Sequence, residues 1–135
     1  MQFILDTGPW VALLCRDDQH HAWAKAQFAK TSEPLLTCEA VVAETCFLLA
    51  CHDFDPARAL ELVERGVVQI TLSLSEDIAA VRQLFTRYDS VPASLADACL
   101  IRMSEIHASA RVLTLDSDFH IYRRHGRKVI PLLTP

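Results

Sequence analysis

The sequence predicts an α/β protein with a parallel sheet, and the order of its apolar segments carries that prediction. Short apolar runs rich in β-formers alternate along the chain with longer segments of helical spacing. Strands separated by helices pair in parallel and bury both faces of their sheet under those helices. At 135 residues and 51% hydrophobic composition, the chain is expected to form one domain over residues 1–135.

The first half of the chain is predicted to hold two strands and four helices. Residues 3–5 form a short apolar run, and Pro9 is tolerated in the first turn of the next helix. Asp55 and Pro56 are typical of a helix start. The predicted elements are strands at 2–5 and Leu35–Thr37, and helices at Pro9–Arg16, 20–30, Glu39–Cys51 and Asp55–Arg65.

The second half alternates in the same way. Ile78, Val81, Phe85 and Tyr88 share one face if residues 75–88 are helical. The predicted elements are strands at Val67–Thr71, Arg111–Leu115 and Lys128–Pro131, and helices at 75–88, Ser94–Ser109 and Asp118–Arg124.

Composition excludes several classes of protein. The net charge of −4 argues against a basic nucleic-acid binder of the histone kind. The start MQFILD lacks the basic region of a signal peptide, and no apolar run reaches the roughly 18 residues that span a bilayer. The five cysteines form no C-x-x-C pair, which favours buried thiols in a reducing cytoplasm. We therefore expect a soluble cytoplasmic protein.

Four acidic residues stand in apolar surroundings. Asp6 and Asp116 each follow a predicted strand, while Glu44 and Asp97 have apolar neighbours at helical spacing, so Glu44 is expected on the buried stripe of its helix. Burying an unpaired carboxylate is costly, so each of these acids needs an explanation.

Local explanations exist for three of the four acids. Asp97 fits a capping box with Ser94, Asp6 could cap the helix that follows it, and Asp116 could belong to a turn. No local explanation exists for Glu44, which needs a distant partner.

The four acids together point to a metal site. The carboxyl ends of parallel strands lie at one edge of a sheet, where sites commonly form. Converging carboxylates repel one another unless a cation neutralises them, and oxygen ligands without His or Cys suit Mg²⁺ or Mn²⁺. Such ions promote hydrolysis of phosphodiesters.

Four short motifs, in order and spacing along the whole chain, resemble those of PIN-domain nucleases, and in particular the VapC-like toxins of bacterial toxin–antitoxin pairs. The motifs are Asp6-Thr7-Gly8-Pro9, Val41-Val42-Ala43-Glu44, Ser94-Leu95-Ala96-Asp97-Ala98 and Thr114-Leu115-Asp116-Ser117-Asp118-Phe119.

The resemblance implies a three-layer α/β/α sandwich with about five parallel strands and an endoribonuclease that depends on Mg²⁺ or Mn²⁺. Thr114 resembles the hydroxyl residue that supports the site, and Thr7 would orient the first loop. Asp118 lies at a family-like position but could instead cap the following helix. The implied catalytic metal ligands are Asp6, Glu44 and Asp97, with Asp116 as the fourth acid.

The resemblance also implies partners: an RNA substrate, a small antitoxin and a second copy of the chain in a homodimer. A basic cluster could position RNA phosphates, or could be a solvated loop. The cluster consists of Arg123, Arg124, Arg127 and Lys128.

Other readings of the acids are weaker. An aspartyl phosphatase would carry D-x-D-x-T, but Gly8 occupies the place of its second aspartate. A response-regulator receiver would place its phosphorylated aspartate after the third strand, and Val67–Thr71 ends without one. The remaining alternative is a degenerate PIN domain that binds RNA or a protein without cleaving.

Overall fold

The computed structural model describes residues 1–135. Its helices are α1 (Thr7–Leu14), α2 (His21–Lys30), α3 (Glu39–Cys51), α4 (Ala57–Glu64), α5 (Leu74–Arg87) and α6 (Leu95–Ile106). Its strands are β1 (Phe3–Leu5), β2 (Leu35–Thr37), β3 (Val68–Ile70), β4 (Arg111–Leu113), β5 (Arg123–Arg124), β6 (Lys128–Val129) and β7 (Leu132–Leu133). A 3-10 turn covers Ser117–His120.

Five strands form a parallel sheet in the order β3-β2-β1-β4-β7. Ile4 of β1 is in register with Leu36 on one side and with Val112 of β4 on the other. The chain builds outward from β1 through β2 and β3, and then returns to add β4 on the opposite side. The junction of β1 and β4 is therefore the topological switch point, where α/β proteins place their sites.

The helices cover both faces of this sheet. The right-handed crossovers from β1 to β2 and from β2 to β3 place α1 to α4 on one face of the sheet. The crossover from β3 back to β4 runs across the sheet in the opposite direction, so it places α5 and α6 on the other face. Accordingly α1 packs against α2 and α3, while α5 packs against α6. The predicted α/β/α sandwich is confirmed. None of the helices is both long and apolar enough to cross a membrane.

The two central strands are the most deeply buried part of the core. Ile4, Leu5, Val112 and Leu113 have no exposed surface. Because both strands are buried on both faces, the backbone of the residues that directly follow them is held in a fixed position.

The C-terminal prediction is wrong in two places. The predicted helix Asp118–Arg124 stops at His120, and its last two residues form β5, which pairs with β6 in an antiparallel ribbon. The predicted strand Lys128–Pro131 is displaced, since Lys128–Val129 form β6 of the ribbon and the fifth sheet strand, β7, begins directly after Pro131, whose carbonyl accepts from the N–H of Val112 in β4 at 2.8 Å. Proline has no N–H to donate, so it is suited to a position just before an edge strand.

The buried face of α5 is also narrower than predicted. Val81 and Tyr88 are buried together with Leu84, whereas Ile78 and Phe85 are about half exposed. Both exposed residues lie on the same flank of the helix, rotated away from Leu84 towards solvent.

The cysteine prediction is confirmed in part. All five thiols are free, and Cys15, Cys38 and Cys99 are buried. Cys51 is exposed and Cys46 is only partly covered, because both lie towards the solvent side of α3.

Candidate active site

Asp6 is a buried carboxylate directly after the central strand β1, with 7% of its surface exposed. Its backbone N–H donates to the carbonyl of Leu113 in β4, at 3.1 Å, so the sheet fixes its position. Its Oδ1 accepts from the N–H of Thr7 at 2.7 Å and caps α1. Its Oδ2 accepts from the hydroxyl of Thr114 at 2.6 Å.

Thr114 connects Asp6 to Asp116 across the switch point. It follows β4 directly and is completely buried. Its Oγ1 donates to Asp6 and accepts from the backbone N–H of Asp116 at 2.9 Å. A single hydroxyl thus orients one acid and fixes the loop that carries another.

Asp97 lies in the first turn of α6 and takes part in the predicted capping box. Its N–H donates to Ser94 Oγ at 3.0 Å, and its Oδ2 accepts from the Ser94 N–H at 3.2 Å. The same Oδ2 accepts from the hydroxyl of Tyr122 at 3.0 Å. Asp97 Oδ1 is therefore left free of hydrogen bonds, and the capping role leaves one carboxylate oxygen available.

Glu44 does not share the buried stripe of α3, so that prediction is wrong. The buried residues of the helix are Val41, Thr45 and Leu49, and Glu44 is exposed beside them. Its carboxylate nevertheless lies near the other acids, because α3 packs against α6 at this end of the sheet. The hydroxyl of Thr7 is close to Glu44 without making a hydrogen bond.

The structure brings the four predicted acids together into an acidic cluster, which we define as Asp6, Glu44, Asp97 and Asp116. Burial, with added repulsion from Asp97 and Asp116, raises the pKa of Asp6 to about 7. Burial and the neighbouring acids also raise the pKa values of Glu44 and Asp97. No lysine or arginine forms an ion pair with the cluster, so its charge is not compensated within the chain.

Asp116, not Asp118, is the residue that caps the following turn. Asp116 Oδ1 accepts from the N–H of Asp118 at 2.9 Å, so the capping alternative for Asp118 is wrong. Asp118 is partly buried and lies near Tyr122, where its charge helps to raise the pKa of the phenol, after the larger effects of burial and of Asp97.

The predicted basic cluster divides into two pairs. The guanidinium group of Arg123 donates to the backbone carbonyls of His120, Ile121 and Tyr122. The guanidinium group of Arg124 donates to the backbone carbonyls of Ser104 and Ala108. Arg127 and Lys128 are exposed at the turn of the β5–β6 ribbon.

Sequence reasoning missed two features near these sites. The first is Tyr122, which lay in a segment predicted to be helical, so nothing in the pattern connected it to Asp97. The second is a surface pocket of about 460 Å³ on α5, lined by Arg82 and Arg87 with uncharged neighbours. Arg87 donates to the carbonyl of Gly126 and thereby holds the ribbon against this pocket.

The donor chemistry of the acidic cluster fits a hard divalent cation. Its members are carboxylates with no His or Cys among them, and the N–H groups and hydroxyls around them leave Asp97 Oδ1 and Asp116 Oδ2 free. As the side chains stand, no three His, Cys, Asp or Glu residues are placed to hold one ion. A complete ligand set therefore requires rotation of side chains, for which exposed Glu44 has the most freedom.

The chain is similar to known proteins in both sequence and fold. The family model described as the PIN domain matches residues 3–124. Among solved structures, Mycobacterium tuberculosis VapC20, described as a toxin that cleaves the sarcin–ricin loop, is similar with a TM-score of 0.77 and 22% identity, over 87% of this chain and 92% of that one. A search of curated protein sequences gave no match. With the family model spanning nearly the whole chain and the fold in agreement, this chain belongs to the PIN domain family of nucleases.

Proposed function

We propose that the protein is a divalent-metal-dependent endoribonuclease that hydrolyses RNA phosphodiester bonds in the cytoplasm, and that it is the toxin of a type II toxin–antitoxin pair. The observation that carries this proposal is the uncompensated acidic cluster at the switch point of the sheet. Holding a buried carboxylate beside other acids without a basic partner is unfavourable for the fold alone, and a cation removes that cost.

The proposed ligands of Mg²⁺ or Mn²⁺ are the acids of the cluster, with Asp6, Glu44 and Asp97 at its centre and Asp116 as the fourth. A bound ion would stabilise the negative charge of a phosphodiester under attack by water. Thr114 orients Asp6 through its hydroxyl, Thr7 donates its N–H to Asp6 from the first position of α1, and Asp118 adds negative charge beside the cluster.

Contacts with RNA phosphates are proposed for the exposed cations of the β5–β6 ribbon, Arg127 and Lys128. Arg82 and Arg87 in the pocket on α5 adjoin this ribbon through the contact with Gly126. Because Arg123 and Arg124 already bind carbonyls, their contribution to RNA binding is expected to be smaller.

Homodimerisation and an antitoxin partner belong to the same proposal. Phe47 on α3 is 67% exposed, and Ile78 and Phe85 on α5 are about half exposed. Neighbouring exposed apolar side chains, such as Ile78 and Phe85 on one flank of α5, are typical of a surface that is buried against a partner.

The test is cleavage of a mixed, structured RNA pool by the purified protein with Mn²⁺, Mg²⁺ or EDTA. An oligonucleotide with a sarcin–ricin loop serves as an additional substrate. We expect cleavage with either ion, none with EDTA, and at least a hundredfold loss in Asp97→Asn. The Asn side chain can still accept the capping hydrogen bond, so the variant is expected to fold.

Normal cleavage by Asp97→Asn would mean that the residue only caps α6. Metal-independent cleavage would contradict the proposed chemistry. The second candidate function is a non-toxin or catalytically degenerate PIN domain that binds RNA or a protein, and RNA binding without cleavage under any condition would favour it.

A further inference from the structure

Tyr122 is the side chain that contacts Asp97 from outside its own helix. It follows the 3-10 turn and is completely buried. Its ring makes edge-on contacts with Tyr88 and Phe119, with centroids 5.0 and 5.1 Å away. Because Tyr88 and Phe119 pack against the ring from two sides, the hydroxyl of Tyr122 is held in a fixed position, 3.0 Å from Asp97 Oδ2.

The hydrogen bonds to the Asp97 carboxylate are asymmetric. The N–H of Ser94 and the hydroxyl of Tyr122 both reach Oδ2, and neither reaches Oδ1. The Ser94 bond alone would satisfy the capping box, since that motif needs one carboxylate oxygen. The hydrogen bond from Tyr122 is therefore additional to the cap. It restricts rotation of the Asp97 carboxylate about the Cβ–Cγ bond.

Asp6 has a comparable arrangement. The hydroxyl of Thr114 donates to its Oδ2, while a backbone N–H holds the other oxygen. Asp6 and Asp97 thus each accept a hydrogen bond from the hydroxyl of a residue that is distant in sequence. Thr114 comes from the end of β4 and Tyr122 from the segment before β5.

We propose that Tyr122 is a positioning residue of the site, whose hydroxyl orients Asp97 so that Oδ1 is presented to a divalent cation. This inference rests on the proposed function. Removing a group that orients a metal ligand commonly lowers metal affinity by about tenfold to a hundredfold, although that group does not contact the metal.

The test is the affinity of the metal-free protein for Mn²⁺, measured by the electron paramagnetic resonance signal of the free ion. Tyr122→Phe removes the hydroxyl and keeps the buried ring. We expect its dissociation constant for Mn²⁺ to rise about tenfold. The RNA cleavage rate is expected to fall at low Mn²⁺ and to recover in part at saturating Mn²⁺.

Tyr88→Phe is the matched control. It removes the other hydroxyl of the same aromatic group, which accepts from the N–H of Arg123 at 2.9 Å and makes no contact with the acids. We expect this variant to bind Mn²⁺ as the wild type does.

Each outcome decides a separate point. Equal Mn²⁺ affinity in the wild type and in folded Tyr122→Phe overturns the inference and leaves the proposed function standing. Equal loss in both Tyr variants means that packing, not orientation of Asp97, is responsible, and also overturns it. Absence of Mn²⁺ binding in the wild type overturns the metal-dependent function itself. If Tyr122→Phe fails to fold, Tyr122→Met, which fills the space without a hydroxyl, takes its place.

Discussion

At the scale of single residues, the most informative side chain is the hydroxyl of Thr114. It donates to Asp6 and accepts from the N–H of Asp116, so both of its hydrogen-bonding functions are used inside the site. A valine would have the same shape but neither function, and would leave a buried acceptor and a buried donor unpaired. Burying an unpaired polar group costs more than the net gain from an average hydrogen bond.

We predict that Thr114→Val lowers the free energy of unfolding by about 1–3 kcal/mol and lowers the RNA cleavage rate, because Asp6 loses its orientation. Urea denaturation at pH 7 measures the first effect and initial cleavage rates the second.

Thr45→Val is the control for that substitution. Thr45 is also a completely buried threonine, on α3, but its hydroxyl has no hydrogen-bond partner. Removing an unpaired hydroxyl is expected to leave stability unchanged or slightly higher. Equal destabilisation by both substitutions would show that shape, not the hydrogen bonds of Thr114, is responsible.

At the scale of elements, the sequence was sufficient wherever hydrophobic pattern decides the structure. The central strands and α3, α5 and α6 lie where apolar periodicity predicted them, and the strand-end positions of Asp6 and Asp116 followed from that pattern. Periodicity placed Glu44 on the wrong face, because α3 carries apolar residues on nearly all sides and its buried side is chosen by packing.

The C-terminal segment could not be predicted for a different reason. β5, β6 and β7 are two residues long, and no alternation can be recognised over so short a length. The ribbon is held instead by distant contacts, among them the N–H of His125 donating to Glu105 at 2.7 Å. Tyr122 comes to Asp97 through this packing, which is why no local sequence pattern indicated the contact.

The ribbon and α5 together lead to a prediction about RNA binding. We expect Arg82→Gln and Arg127→Gln, each in an Asp97→Asn background that prevents cleavage, to weaken binding of single-stranded RNA several-fold whatever its sequence. Each lost phosphate contact should also lower the slope of log affinity against log salt by about 0.7. Fluorescence anisotropy of a labelled RNA over a range of salt concentrations measures both quantities.

Arg58→Gln is the control, because Arg58 is an exposed arginine on α4, on the opposite face of the sheet. If all three substitutions act alike, the effect reflects net charge and the proposed surface on α5 is wrong.

At the scale of the whole molecule, the order of the strands creates the site. β1 and β4 are neighbours although more than a hundred residues separate them in sequence, and their carboxyl ends carry Asp6, Thr114 and Asp116 to one place. α3 and α6 come from opposite faces of the sheet and contact each other at the same edge. The acids therefore meet only once the complete domain has folded. The free energy of unfolding consequently depends on whether these acids are ionised.

This coupling gives a prediction for the metal-free protein. The pKa of Asp6 is about 7 in the folded state and close to 4 in an unfolded chain, so the folded state binds the proton more tightly. The resulting stabilisation is complete below about pH 4 and is lost as the pH rises through about 7. Between pH 8 and pH 5 we expect Asp6 to add up to about 2.5 kcal/mol to the free energy of unfolding.

Asp6→Asn isolates this contribution, because the amide does not titrate. Urea denaturation in EDTA at pH 5 and pH 8 should show a clearly smaller difference for the variant than for the wild type. Equal differences would assign the pH dependence to other groups. Adding Mn²⁺ at pH 8 should stabilise the wild type, since a bound cation favours the ionised cluster.

The double use of Asp97 has a consequence for how such domains lose activity over evolution. Losing the Asp97 carboxylate would remove one hydrogen bond of the capping box, at a cost of about 0.5–1.5 kcal/mol, so a descendant without nuclease activity would still be selected to keep Asp97 for folding. Glu44 is exposed and caps nothing, so only the chemistry of the site selects for it. Glu44 would be the first acid to drift once activity is lost, and its presence here is a better sign of a working enzyme than the presence of Asp97.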